Sequence, residues 1–319
     1  MPTLLCLGEA LIDFVADVSG VSLADCPGFR KAPGGAPANV AVGAARLGTT
    51  AAFLGKVGAD PFGQFLARTF ADAGVDTRFL QFDPDTRTGL AFVSLQANGE
   101  RDFMFYRNPS ADMLYRPDEV PDEAFMGCRA YHFGSITLIQ EPSHSATLHA
   151  LRRARAQGAI VSYDPNLRPP LWPNLDTARA RILEALPLTD FVKVSREEAE
   201  FLYGPGTEPE WEARLLAAGP QLVAITDGEN GCTLAADGFR TTLPAFAVPV
   251  VDTTGAGDGF VAGVLVSLLE RGGFAGLDSA ELHRIARFAS AVGALACTAR
   301  GAIPALPSRA QVEEFLSSA

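Results

Sequence analysis

Short, nearly continuous apolar runs alternate along this chain with longer stretches of helical period. Residues 4–8, 51–54, 131–134, 160–163, 191–194 and 222–226 form the runs. A strand that is apolar throughout is one covered on both faces. Between the runs, residues 60–73 close on Gly74 and residues 142–157 on Gly158, where glycine supplies the left-handed turn that ends a helix. The alternation predicts an α/β fold, a three-layer αβα sandwich around a mostly parallel central sheet. Residues 259–270 and 280–297 read as long helices rich in small residues, with no strand after them.

One segment departs from the pattern. Residues 88–96 and 102–107 alternate around Asn98-Gly99, a pair that favours a tight hairpin turn. A hairpin has no place in a parallel core, so it is predicted, with residues 12–32, to form a small β-sheet lid. The expected division is a core of residues 1–11, 33–87 and 110–319 and a lid of residues 12–32 and 88–109. Asp237-Gly238 marks a second hairpin.

Composition narrows the classes. Of 319 residues, 48% are hydrophobic and 20% charged, which excludes a disordered chain. The net charge of −11, with no basic block, argues against nucleic acid as a partner. The apolar stretch 260–269 is too short to span a bilayer, and the first residues lack the basic start of a signal peptide, so no membrane partner and a cytoplasmic location are expected. The five cysteines are widely spaced with no C-x-x-C, and are expected to be reduced thiols rather than disulfides or zinc ligands.

Five segments carry candidate chemistry. In Asp252-Thr-Thr254-Gly255-Ala256-Gly257-Asp258, a β run enters a glycine turn from which an apolar helix leaves. The free N–H groups of such a helix start face an anion. An aspartate there would repel phosphate, but it could take a proton from a hydroxyl attacking beside it. A glycine-rich helix start with aspartate as its cap reads equally well. A dinucleotide fingerprint fails on its third glycine, and no Walker A loop exists, since Gly55-Lys56 is followed by Val57.

Gly34-Gly35-Ala-Pro-Ala-Asn39 opens a second helix, with Asn39 in its first turn, either reaching a ligand or serving a tight capped loop. Asp164-Pro-Asn166-Leu-Arg168 follows an apolar run, at the strand end where open α/β sheets bind ligands; Arg168 could grip phosphate, or the stretch could be an Asp-Pro turn with a surface ion pair. In Lys193-Val-Ser195-Arg-Glu-Glu198, Glu198 could orient Mg²⁺ through water, or Ser195 and Glu198 could form a capping box. Thr226-Asp-Gly228-Glu-Asn-Gly231 is a strand end or a hairpin turn.

In order and spacing these segments resemble the PfkB (ribokinase-like) family of carbohydrate kinases. Gly34–Asn39 with Ala45-Arg-Leu-Gly48 is similar to its N-terminal signature, and residues 252–263 to its C-terminal one. Within it the chain most resembles fructokinases, through residues 99–113, Val161-Ser-Tyr-Asp-Pro-Asn-Leu-Arg168, residues 193–198 and Arg300-Gly-Ala-Ile-Pro-Ala-Leu-Pro307. Two positions depart from the family pattern: Ser195 replaces the Asn of Asn-x-x-Glu, and Ser290 stands where ribokinases often carry Asn.

The resemblance implies a ribokinase-like fold and an ATP-dependent sugar kinase requiring Mg²⁺ and K⁺. It implies D-fructose as acceptor, with 2-keto-3-deoxygluconate, ribose or a nucleoside as alternatives. Asp258 would be the base, and Gly255, Ala256 and Gly257 the anion hole. Asp13, Gly34, Gly35 and Asn39 would hold the sugar, Phe103 and Arg107 would close over it, and Arg168 would bind substrate. Asn166, Lys193, Thr226, Gly228, Gly231 and Ser290 would line the nucleotide site. Glu198 would serve Mg²⁺ through water, and Asp252 and Thr254 the K⁺. Exposed lid edges suggest a homodimer formed through the lid.

Overall fold

The structure, a computed structural model, describes residues 1–18, 20–95 and 101–318. Among the described residues, thirteen strands build two sheets. They are β1 (Leu4–Leu7), β2 (Leu11–Ala16), β3 (Phe29–Gly34), β4 (Ala51–Gly58), β5 (Leu80–Asp83), β6 (Gly89–Leu95), β7 (Arg101–Tyr106), β8 (Ala130–Gly134), β9 (Ile160–Asp164), β10 (Phe191–Ser195), β11 (Leu222–Thr226), β12 (Cys232–Ala236) and β13 (Phe239–Leu243). The helices are α1 (Ala36–Arg46), α2 (Pro61–Asp72), α3 (Ser143–Ala156), α4 (Leu175–Ala185), α5 (Arg196–Tyr203), α6 (Glu208–Ala217), α7 (Ala256–Arg271), α8 (Ser279–Ala296), α9 (Ala302–Ala305) and α10 (Arg309–Ser318).

The large sheet runs β13-β12-β11-β10-β9-β8-β1-β4-β5. Every pairing from β11 to β5 is parallel, and β12 and β13 add an antiparallel edge. Side chains of β1 alternate between two cores: Leu4 and Cys6 join the one containing α1, α7 and α8 residues, and Leu5 and Leu7 the one containing α3 and α4 residues. This is the expected three-layer α/β sandwich. The Asp237-Gly238 turn joins β12 to β13, with both residues at positive φ (36° and 83°), the geometry of a tight hairpin.

Two elements run further than their apolar patterns suggest. β4 extends to Gly58 because the charge that interrupts it is accommodated: Lys56 is buried and donates from Nζ to Glu119 Oε1 at 2.6 Å and Leu114 O at 3.1 Å. α7 begins at Ala256, not residue 259, because Gly255 alone takes the left-handed conformation (φ 84°) and the glycines after it are helical. Asp258 therefore sits in the first turn of a helix rather than in the loop before it.

The second sheet has four strands in the order β3-β2-β6-β7. Its outer pairings are antiparallel and its central one, β2 with β6, is parallel. The Asn98-Gly99 turn lies outside the described residues. Phe14 stacks on Phe92 with ring centroids 5.0 Å apart, and Tyr106 meets Phe92 edge-on at 5.5 Å. Among the described residues no helix is long and apolar enough to cross a membrane.

Candidate active site

β1 lies between β8 and β4, so the chain leaves the sheet centre in both directions, and a crevice opens beyond the strand ends at such a switch point. There the structure has a cavity of about 850 Å³ lined by both the large sheet and the small one. Asp13, Gly35, Asn39, Gly255, Gly257 and Asp258 all line it. Asn166, Arg168, Lys193 and Thr226, from the ends of β9, β10 and β11, also line it, as do Asp252 and Thr254.

The glycine loops are shaped by close approach. Gly35 has φ 116°, and a Cβ there would lie 2.2 Å from Glu9 O. Gly255 has φ 84°, and a Cβ there would lie 2.7 Å from Ala302 Cβ. Any larger residue at either position would displace backbone or α9. The loop before α7 is tied down by Asp252, whose Oδ1 accepts from Thr254 N (3.0 Å) and Thr254 Oγ1 (2.7 Å) and whose Oδ2 accepts from Gly301 N (2.9 Å).

Asp258 does not cap its helix, since no side-chain cap bond forms there. Its Oδ2 instead accepts from Asn39 Nδ2 at 2.8 Å. Burial pushes the Asp258 carboxyl above the usual range, against the Asn39 bond and the charges of Lys193 and Arg168. Lys193 Nζ lies 3.1 Å from Asp164 Oδ2, and a Cβ on Gly257 would be 3.4 Å from Nζ. Burial alone would lower the Lys193 pKa, but Asp164 and Glu198 more than offset it, so the ammonium stays charged beside Gly257.

A carboxylate at the first turn of a helix whose N–H groups face a cavity, with a buried lysine next to it, is an arrangement for moving a phosphoryl group onto a hydroxyl. A profile of the family described as pfkB family carbohydrate kinase matches residues 1–309. The chain belongs to that family.

This carbohydrate kinase is 49% identical over 310 residues to a protein named probable fructokinase-4 from Arabidopsis thaliana, covering 97% of this chain and 95% of that one. It superposes with a TM-score of 0.89 on a fructokinase from Xylella fastidiosa with bound ATP, at 37% identity, covering 100% and 99% of the two chains. A double-mutant fructokinase from Vibrio cholerae O395, with fructose, ADP and a potassium ion bound, matches with a TM-score of 0.86 and 36% identity over 99% of this chain and 98% of that one.

Not every residue singled out from the sequence reaches the cavity of the kinase. Gly34 packs on Asp13, whose Oδ2 would be 2.3 Å from a Cβ at Gly34. Ala256 begins α7 between the two lining glycines. Arg107 is buried in an ion pair with Asp112; the Phe103 side chain lies outside the described residues. Glu198 Oε1 accepts from Leu167 N (2.6 Å) and Oε2 from Ser195 N (2.7 Å), so the capping box is real and both oxygens are engaged. Gly228 and Gly231 shape the β11–β12 turn, and Ser290 Oγ lies 3.3 Å from Cys232 Sγ.

One lining residue carried no signal in the motifs. Glu9 directly follows the Gly8 that ends the first apolar run, and is 2% exposed. Its Oε1 accepts from Ala36 N at 2.9 Å, and its Oε2 is buried with no hydrogen-bond partner among the described residues. Burial raises its pKa to about 7, against its backbone hydrogen bonds and the nearby charge of Arg107. A lone acid at a strand end is the clue that was there to be read.

Proposed function

We propose that this kinase transfers the γ-phosphoryl of ATP to D-fructose, giving fructose 6-phosphate. The observation that carries the reading is the direct pairing of Asp258 with Asn39 in the cavity lining: the residue at the α7 loop is held by a residue in the first turn of the helix that follows Gly35, so nucleotide and acceptor ends meet at one carboxylate. The fructokinases among its relatives supply the choice of sugar.

In this reading Asp258 takes the proton of the attacking hydroxyl, and its raised pKa makes it a stronger base near neutral pH. The N–H groups at the start of α7, with Lys193, stabilise charge on the group in flight. The four-stranded sheet, with residues 12–32 and 88–109, serves as a lid that excludes water. Its exposed Val15, Met104 and Tyr106 support a dimer formed through that sheet. Free cysteines throughout support a reducing, cytoplasmic setting.

The cations follow from the donors present. Among the described residues no group of three or more His, Cys, Asp or Glu could hold a metal ion. That fits Mg²⁺ carried by phosphate oxygens and water, with Asp164 as the carboxylate beside Lys193, since both oxygens of Glu198 are already engaged. It also fits K⁺ held by oxygens of the Asp252–Thr254 loop, where it would stiffen the turn before Gly255.

The acidic acceptor 2-keto-3-deoxygluconate is the second reading, and Arg107 would be its carboxylate partner. The Arg107–Asp112 ion pair counts against it, because the guanidinium is already neutralised. A coupled assay of ADP release over a panel of sugars tests the assignment. Fructose is expected to show the highest kcat/KM; about tenfold higher kcat/KM on ribose or 2-keto-3-deoxygluconate, some 1.4 kcal/mol in transition-state binding, overturns it.

A further inference from the structure

Arg46, the last residue of α1, belongs to the Ala45-Arg-Leu-Gly48 stretch, to which the chemistry above gives no task. Its Nη1 donates to two backbone carbonyls, Ile303 O at 2.7 Å and Leu306 O at 2.5 Å. Among the described residues it has no carboxylate partner, and partial burial lowers its pKa. A guanidinium withdrawn from water onto neutral carbonyls fixes geometry rather than balancing charge.

The backbone it holds is α9 and the residue that follows it. That short helix borders the catalytic loop at two points. Gly301 N–H, at its entrance, donates to Asp252 Oδ2 at 2.9 Å, and Ala302 lies directly on Gly255. At the other end of α1, Asn39 holds Asp258 at 2.8 Å.

We propose that Arg46 is a positioning residue for phosphoryl transfer: through α9 it fixes the Gly255-Ala256-Gly257 loop, while Asn39 at the opposite end of the same helix fixes Asp258. α1 is thereby a splint across both halves of the reacting site. The inference rests on the reading of the loop as an anion hole, and it adds a residue that touches neither substrate.

The test is steady-state kinetics of full-length Arg46→Ala and Arg46→Lys, on whichever sugar the wild type turns over best, with folding followed by circular dichroism and thermal melting. In Arg46→Ala, kcat is expected to fall by about tenfold to a hundredfold, the scale of a catalytic group displaced by about an ångström. KM for the sugar should stay within about threefold, because Asp13 and Gly35 are untouched. Millimolar guanidinium should restore part of kcat, a response that a merely structural role would not give.

A folded Arg46→Ala with kcat within about threefold of wild type overturns the proposal, as does an equal rise in sugar KM with unchanged kcat. If Arg46→Ala does not fold, Arg46→Lys decides on the same criteria, since it keeps the charge but its stem ends one bond short of Nη1, the nitrogen that reaches both carbonyls. A wild type that prefers another sugar refutes the fructose assignment alone; a wild type inactive on every sugar refutes the anion-hole reading and this inference with it.

Discussion

Replacing Asp258 by asparagine isolates the proposed base. The substitution keeps size and shape, and the new side-chain oxygen can still accept from Asn39 Nδ2, now 2.8 Å from Oδ2. It removes the proton acceptor and a negative charge that is 7% exposed and faces Lys193 and Arg168. General-base catalysis contributes about 10²–10⁴-fold, or about 2.7–5.4 kcal/mol of barrier, and that much should vanish from kcat. Stability should move the other way. Because burial raises the Asp258 pKa, the folded state binds this proton more tightly than the unfolded chain, and ionising the group costs stability as pH rises. The neutral amide carries no such cost, so the Tm of Asp258→Asn at neutral pH should equal or exceed that of the wild type. ATP affinity should hold or improve as a charge beside the phosphates disappears. In wild type, kcat should fall as the pH is lowered through the pKa of Asp258. The assay is coupled ADP release at saturating sugar and ATP, with melting followed by circular dichroism. A folded Asp258→Asn protein with kcat within about threefold of wild type would refute the reasoning, because that is well short of a general-base effect.

Glu9→Gln should change stability in a pH-dependent way: the Glu9 pKa rises from 4.5 to about 7 on folding, so wild-type stability falls as pH rises through that interval, and the variant's Tm advantage should be larger at about pH 8 than at about pH 5. An equal difference at both pH values would show that Glu9 does not titrate as described. Arg107→Ala should lower stability by about 3–5 kcal/mol, because Asp112 is left buried without its cation; adding Asp112→Asn should recover most of that loss in a denaturant titration. Replacing K⁺ with tetramethylammonium should lower kcat, whereas equal rates in K⁺, Na⁺ and tetramethylammonium would remove the cation from the Asp252–Thr254 loop.

The sheet was legible because burial on both faces leaves runs such as residues 191–194 apolar but for Lys193, and helix ends such as Gly74 and Gly158 announce themselves. β4 was under-read because Lys56 looks like an end to anyone who cannot see Glu119, which comes from a distant segment. The parallel pairing of β2 with β6 at the centre of the small sheet was equally out of reach, since no local pattern encodes which strand lies beside which. Within the site, motif spacing brought Gly35, Asn39, Lys193, Asp252 and Asp258 to notice, the family resemblance added Asp13, and the structure gathers them round one cavity. It could not reveal that Asn39 bonds Asp258, or that Arg107 is held by Asp112. Glu9 was missed because a single acid after a strand matches no spacing rule; its meaning comes from burial. Ser195 illustrates the reverse, a motif position whose ordinary capping function is visible in full.

α7 has consequences before the protein has ever turned over. It is a 16-residue helix with apolar residues on every side, and nearly all of it from Asp258 to Leu269 is buried. The partners that cover it are α1, more than two hundred positions earlier, and α8, which is synthesised after it. A growing chain that has just produced α7 must therefore shield an oily rod with only part of its packing available. Such a species is aggregation-prone, and the distance between partners slows its rescue. Damage to the α1–α7 contact should thus appear first as inclusion bodies and low yield on expression, and only later, in whatever protein escapes, as poor kinetics.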